Sequence, residues 1–549
     1  MKIERIAVLS NVNVNPIAHM LDDYAVYEAE GYGNELETLM NQSSALYGFK
    51  PKAIILLIDL MEAFRHKLDV ESAKKETVCW FRAFEACISP DCIYMVSDGY
   101  LYGEETAIDL VNEKKSELER VWKERLKECA SDHANVYAFP LHQVIEGLGE
   151  EAAFSKITWY MGKIPFSLAA QKRIAQEIKR QIEKHSYTPK KALVTDLDNT
   201  LWGGLAGEND KNPIQLSEDG KGLAYKNTQR VMKIIKDSGA VLCIASKNNE
   251  RDAMEIIENH PHMALRAEDF VIKKINWNPK PDNILEIAKE LNLGLDSIVF
   301  LDDSPWEREL VKNTLPEVLV PDFPKDVARL PGELVKIYQK NFEKPVLTKE
   351  DMQKSKQYAS NVRREHFQSQ TASFPEFLKG LKIVVETVDP ASSIKRLVQL
   401  ANKTNQFNLT TKRYTLPGMQ EILSDENIQV YAYQVSDRFG DLGIVAIVEV
   451  DFHSKIPTVT EFAMSCRAMG RNIEYGIVDD IENAVKAKGY DKLRAQYIPT
   501  AKNKPVEGLW TKLGYRALEN ADGCFWYEID LFKKQEREYY FAKDIGGMK

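Results

Sequence analysis

From Lys190 to Asp303 the chain repeats one signature: a short apolar run that stops on a polar residue, then a helical pattern. The runs are ALVTD, AVLCIAS, FVIKK and SIVFLDD, and the helical patterns lie around NTQRVMKIIKDSG, from Glu250 and from Pro281. Unbroken apolar runs suit strands buried on both faces. Strand, helix, strand at this spacing predicts a parallel, doubly wound sheet. Such sheets bind ligands at the carboxyl ends of their strands, where the polar residues fall.

Those ends collect one kind of chemistry. DLDNT supplies Asp196, Asp198 and Thr200; AVLCIAS ends on Ser246; NWNPKPDN sets Lys280 at a helix start; FLDD ends on Asp302 and Asp303. Any one of them alone reads equally well as an Asx-turn or a structural polar residue. Together they match phosphoryl transfer, which depends on positioning and on stabilising charge spread over the phosphoryl oxygens. Asp196 would attack phosphorus and carry the phosphoryl group. Asp198 would protonate the leaving group and later activate water. Carboxylates this close raise one another's pKa unless a cation holds them ionised. Mg²⁺ suits hard oxygen ligands, here Asp196, Asp198, Asp302 and Asp303. Lys280 adds positive charge, and the hydroxyls of Thr200 and Ser246 can donate to phosphate.

The rest of the chain divides around this core. In residues 1–185, IERIAVL, KAIILLID, DCIYMVSD and NVYAFP read as strands between helices, and EKKSELERVWKERLKE as a solvated helix face. Residues 186–344 hold the core. EKPVLTKE reads as a linker and DMQKSKQYASNVRREHFQSQ as a polar helix, opening a mixed third segment over 345–549. With 549 residues and a net charge of −9, the chain has no electrostatic footprint for nucleic acid. No run reaches membrane-spanning length or the core of a signal peptide, so the expected location is cytoplasmic. Seven scattered cysteines without CxxC spacing indicate neither a disulfide framework nor a zinc site.

DLDNT, the strand-terminal Ser246, Lys280 and the DD pair resemble the four motifs of the haloacid dehalogenase (HAD) phosphatase superfamily. The longer forms DLDNTLWGG, NWNPKPDN and FLDDSPWERE resemble the FkbH-like proteins of subfamily IIIC, as do LANKTNQFNLTTKRYT, DRFGDLGIV, SCRAMGR and YIPTAKNKP in the third segment. The resemblance implies a Mg²⁺-dependent phosphatase with Asp196 as nucleophile, Asp198 as acid and base, and Asp302, then Asp303, on the metal. It also implies a Rossmann-like core without a large cap, since only about twenty residues separate Gly203 from the helix near Tyr225. Some members dephosphorylate a three-carbon acid and load the acyl group onto an acyl carrier protein. Carrier-loading members often hold a cysteine between the two motif aspartates, where Leu197 stands here. A non-catalytic, carrier-binding scaffold is the remaining reading.

NKPVEGLWTKLGY and RAMGRN are similar to acetyltransferases of the GNAT type, which makes the third segment an expected α+β GNAT-like domain. That likeness implies CoA or a phosphopantetheine arm, with Arg467, Gly470 and Arg471 at its phosphate and Asn503 bonding the arm or fixing the groove. Cys466 lies within the same motif. The first segment resembles SGNH hydrolases in layout, with Ser10 after the first strand. GDSL is absent and Phe139 stands three residues before His142, so a non-catalytic role is expected.

Overall fold

The computed structural model describes residues 3–27, 29, 31–207, 214–347, 349–465, 467–518, 520, 523–534 and 536–544. They form two compact units: Met1–Lys190 with Pro331–Thr348, and Lys191–Leu330 with Lys349–Lys549. Among the described residues the strands make three sheets, one in the first unit and two in the second. The three sequence segments are therefore visible as sheets, while packing joins the second segment to the third.

The first sheet is parallel, in the order β2-β1-β3-β4-β5. Its strands are β1 (Arg5–Ser10), β2 (Ala25–Tyr27), β3 (Ala53–Leu57), β4 (Ile93–Ser97) and β5 (Val136–Phe139). The apolar runs predicted four of them; three-residue β2 is too short to show a pattern. The helix Asp109–Asp132 is charged outside, yet it buries Leu118, Trp122, Leu126 and Cys129. The returning segment 331–348 is tied to this unit. Its Glu343 pairs with Arg180 and, at 3.2 Å, with Lys184, and the Asn341 carbonyl accepts from the Lys190 amide at 2.7 Å. EKPVLTKE is thus more than a linker at its first residue.

The second sheet is the predicted doubly wound core, parallel in the order β8-β7-β6-β9. These are β6 (Ala192–Thr195), β7 (Val241–Ser246), β8 (Phe270–Ile275) and β9 (Ile298–Leu301). Every residue of β6, β7 and β9 is buried, as unbroken apolar runs require.

The third sheet is mixed, in the order β15-β16-β14-β13-β12-β11-β10-β17. Its strands are β10 (Ile383–Val388), β11 (Ile428–Asp437), β12 (Gly440–Asp451), β13 (Thr458–Met464), β14 (Lys492–Tyr497), β15 (Arg516–Ala517), β16 (Phe525–Asp530) and β17 (Phe541–Asp544). The expected polar helix, Lys349–Gln370, packs on β7, β8 and β12 and so joins the two sheets. Two details fix it there. A Cβ at Gly239, whose φ is +92°, would lie 2.2 Å from the Asp351 carbonyl oxygen, so only glycine fits. Buried Arg364 donates to both oxygens of buried Asp437, at 2.6 and 2.8 Å. A two-point pair of this kind fixes direction as well as distance.

Candidate active site

Asp196 leaves β6, Asp302 and Asp303 leave β9, and Lys280 opens the helix Lys280–Glu290. The fold brings them to one place. The Lys280 ammonium lies 3.0 Å from an Asp196 oxygen and pairs closely with Asp302. Burial alone would lower the Lys280 pKa, but the two carboxylates outweigh it and the pKa is raised, so the side chain stays charged. Asp196, Asp302 and Asp303 each offer an oxygen within 4.8 Å of the others. One ammonium against three carboxylates leaves a negative balance that a divalent cation would close. Hard oxygen donors from carboxylates suit Mg²⁺, so the residues fit the metal. Without it, burial and the Asp196 charge push the Asp302 carboxyl up to about 6, and Asp303 upward as well.

Asp198 stands apart from that carboxylate cluster. One of its oxygens accepts from the Trp202 indole nitrogen at 3.0 Å and the Ala206 amide at 3.1 Å; the other accepts from the Asn248 amide group at 2.9 Å. Burial still raises its pKa above the usual carboxylate range, against those three donors. A held, readily protonated carboxyl is what a general acid needs. Thr200 is buried, and its hydroxyl oxygen accepts from the Asp303 amide at 3.1 Å, which links the two motif loops. Ser246 is buried at the end of β7. Leu197 is fully buried.

Asn248 and Arg308 escaped the sequence reading, and Trp202, which the WGG stretch suggests only as a pocket wall or a packing aromatic, has a further part here as a donor to Asp198. Trp202 is fully buried as the orienting partner of Asp198, and the turn that brings it there passes through Asn199 at φ +54°. Arg308 donates from one nitrogen to the carbonyls of Asp302 at 2.9 Å and Asp303 at 2.6 Å. The signals were present as WGG after DLDNT, as SKNN and as WERE, but spacing alone does not say where such side chains turn.

The residues expected to hold a pantetheine-type arm are arranged differently. β13 and β14 pair only at Thr458–Arg494 and Val459–Ala495. Where they part, the chain's own residues 407–409 enter. The Phe407 carbonyl accepts from Met464 at 2.9 Å, Leu409 donates to Phe462 at 3.1 Å, and the Leu409 carbonyl accepts from Ile498 at 2.8 Å. Asn503 is buried and serves this insertion. Its amide group donates to the carbonyls of Asn408 and Ile498, both at 2.9 Å, and its oxygen accepts from the Thr500 amide at 2.7 Å. It fixes the groove and has no donor left for an arm. Gly470 takes φ +72°, and Arg471 turns inward to 3.6 Å from Asp437. Burial and the neighbouring Arg364 lower the Arg471 pKa to about 10. Arg467 donates to Gln357 at 2.7 Å. Cys466 lies outside the described residues.

In the first unit the Ser10 hydroxyl donates to the Leu57 carbonyl and accepts from the Val12 amide at 3.1 Å. The His142 ring faces Glu119 and Glu146, each at 3.3 Å.

Among solved structures the chain is similar to the N-terminal part of the protein BF1531 from Bacteroides fragilis, which contains a phosphatase domain complexed with Mg. The two are 26% identical with a TM-score of 0.52, over 63% of this chain and 95% of that one. The likeness extends beyond the phosphatase-like segment alone. Ribosomal-protein-S18-alanine N-acetyltransferase from Escherichia coli matches at 10% identity and a TM-score of 0.22, over 29% of this chain and 99% of that one. The PaiA N-acetyltransferase from Thermoplasma acidophilum, in complex with coenzyme A, matches at 12% and 0.22, over 27% and 98%. Both of these likenesses are too slight to bear on function. No protein-family model matches the chain, and neither does any curated protein.

Proposed function

We propose that the chain is a Mg²⁺-dependent phosphatase of the HAD type, acting on a phosphorylated small molecule through Asp196. The observation that carries the reading is the closed set of Asp196, Lys280, Asp302 and Asp303, with Asp198 held separately by three donors. The similarity to a phosphatase-containing structure with Mg supports it.

An Asp196 oxygen attacks phosphorus as the P–O bond to the leaving group breaks, and Asp198 gives that group its proton. Asp198, now a carboxylate, takes a proton from water, whose oxygen attacks the phosphoryl-aspartate and releases phosphate and free Asp196. Lys280, 3.0 Å from an Asp196 oxygen, offsets charge on the phosphoryl oxygens. Arg308 and Thr200 fix the loop that carries Asp302 and Asp303. Asp196, Asp302 and Asp303 would hold Mg²⁺, which when bound would supply further charge stabilisation.

Asp196→Asn should reduce phosphatase activity on aryl phosphates to background, because an amide neither attacks phosphorus nor binds Mg²⁺ strongly. Retention of more than a few per cent of the rate would remove Asp196 from the nucleophile's role. The carrier-loading reading gains nothing from Leu197, whose buried aliphatic side chain has no nucleophile to offer.

A further inference from the structure

In the first unit the helix Val70–Glu85 lies between β3 and β4, and the helix Asp109–Asp132 between β4 and β5. Those strands are parallel neighbours, so the two helices run the same way, and they pack against each other. Glu85 is the last residue of one, Cys129 stands in the last turn of the other, and His133 follows that turn. A Glu85 carboxylate oxygen, the Cys129 sulfur and a His133 ring nitrogen all lie within 4.8 Å of one another.

Cys129 and His133 are four residues apart, a spacing that puts both on one helix face. Cys129 is fully buried, and its thiol is hydrogen-bonded to Glu85. Arg125 donates to one Glu85 oxygen at 2.6 Å and so fixes the carboxylate in place. Core packing accounts for a buried cysteine, and the Arg125 pair accounts for Glu85. Neither accounts for the His133 ring, which has no hydrogen-bond or ion-pair partner among the described residues. The surroundings also favour a cation. Both helices point the negative ends of their dipoles at the cluster. The helix Asp109–Asp132 has no basic residue in its last turn and ends on an acid. Thiolate, imidazole and carboxylate together suit Zn²⁺ rather than Mg²⁺ or Ca²⁺. On a tetrahedral zinc ion such atoms stand roughly 3–4 Å apart, so the cluster need close by only about 1–2 Å.

We propose that Glu85, Cys129 and His133 bind a zinc ion that clips the ends of the two helices together, with water in the fourth position. Zinc bonds to the Cys129 sulfur as the thiol proton leaves to solvent. Cysteine spacing alone hides such a site, because one ligand comes from a separate helix. The Asp196 centre lies in the other unit, and the inference does not depend on the phosphatase reading.

The test uses the full chain, stripped of metal with a chelator and kept reduced, titrated with Co²⁺ as a coloured stand-in and then with Zn²⁺. Co²⁺ should give the intense near-ultraviolet band of a cobalt–thiolate bond, and Zn²⁺ should displace it. The Asp196 centre offers oxygen and no sulfur, so it is silent in that band. Cys129→Ser should abolish the band, and His133→Ala, at a partly exposed position, should weaken binding about tenfold or more. If circular dichroism shows that Cys129→Ser does not fold, His133→Ala decides alone. No band in the parent, a band that persists in Cys129→Ser, or parent affinity in His133→Ala would each overturn the proposal.

Discussion

Residue by residue, the site depends on groups that orient others. Trp202 is the clearest, since its indole N–H is one of three donors on Asp198. Hydrogen bonds to a charged group are worth roughly 1.5–3 kcal/mol. Trp202→Phe keeps a ring in the buried slot and removes the donor. We expect kcat to fall about tenfold on alkyl phosphates, whose leaving groups need the acid, and less on aryl phosphates. Equal losses across a leaving-group series would make the effect structural. Arg308→Ala should act on the metal instead, because it frees the carbonyls of Asp302 and Asp303. Loss of such outer support commonly costs about 10–100-fold in metal affinity. The Mg²⁺ concentration for half-maximal rate should rise by at least tenfold while the rate at saturation changes little. The sequence made Asp196, Asp198, Lys280 and Asp302 legible because strand ends in a doubly wound sheet converge. The donor role of Trp202 and the part played by Arg308 were not legible, because a turn through a positive φ and a side chain folding back on its own loop leave no periodic trace.

At the scale of elements, apolar runs announced the buried parallel strands, and the mixed sheet was harder. Its neighbours come from distant parts of the chain, and residues 407–409 stand between β13 and β14 without being a long strand. β12 and β13 also place Glu449 opposite Glu461, both buried. Like charges face to face are unfavourable. Burial pushes the Glu461 carboxyl up to about 7, against the opposing pull of the Thr410 hydroxyl and Lys412. A carboxyl whose folded pKa exceeds its unfolded one adds stability at low pH, and that stability is lost as pH rises from about 4.5 through about 7. Glu461→Gln should therefore gain stability over the parent between pH 5 and pH 8, by up to about 3 kcal/mol. Denaturation at pH 5, 6.5 and 8 measures it, and a pH-independent difference would place the titration elsewhere.

On the scale of the molecule, the chain passes from one compact unit to the other three times, at 190, 330 and 348. Nothing in local pattern predicts this, since the tie rests on Glu343 meeting Arg180 and Lys184 some 160 residues earlier. A fragment ending at residue 190 lacks those partners. It should melt below the first transition of the intact chain, and a peptide of residues 331–348 should raise its melting temperature; no effect of the peptide would make the segment dispensable. The returning segment also sets an order of events during synthesis. When residue 190 leaves the ribosome the first unit cannot yet close, and about 140 further residues must follow. At about 5–20 residues per second, this is a wait of roughly 7–30 s. By then all four strands of the second sheet have been made, so a chaperone that shields nascent chains would meet an N-terminal unit still lacking its returning segment while the strands of the second sheet are already out.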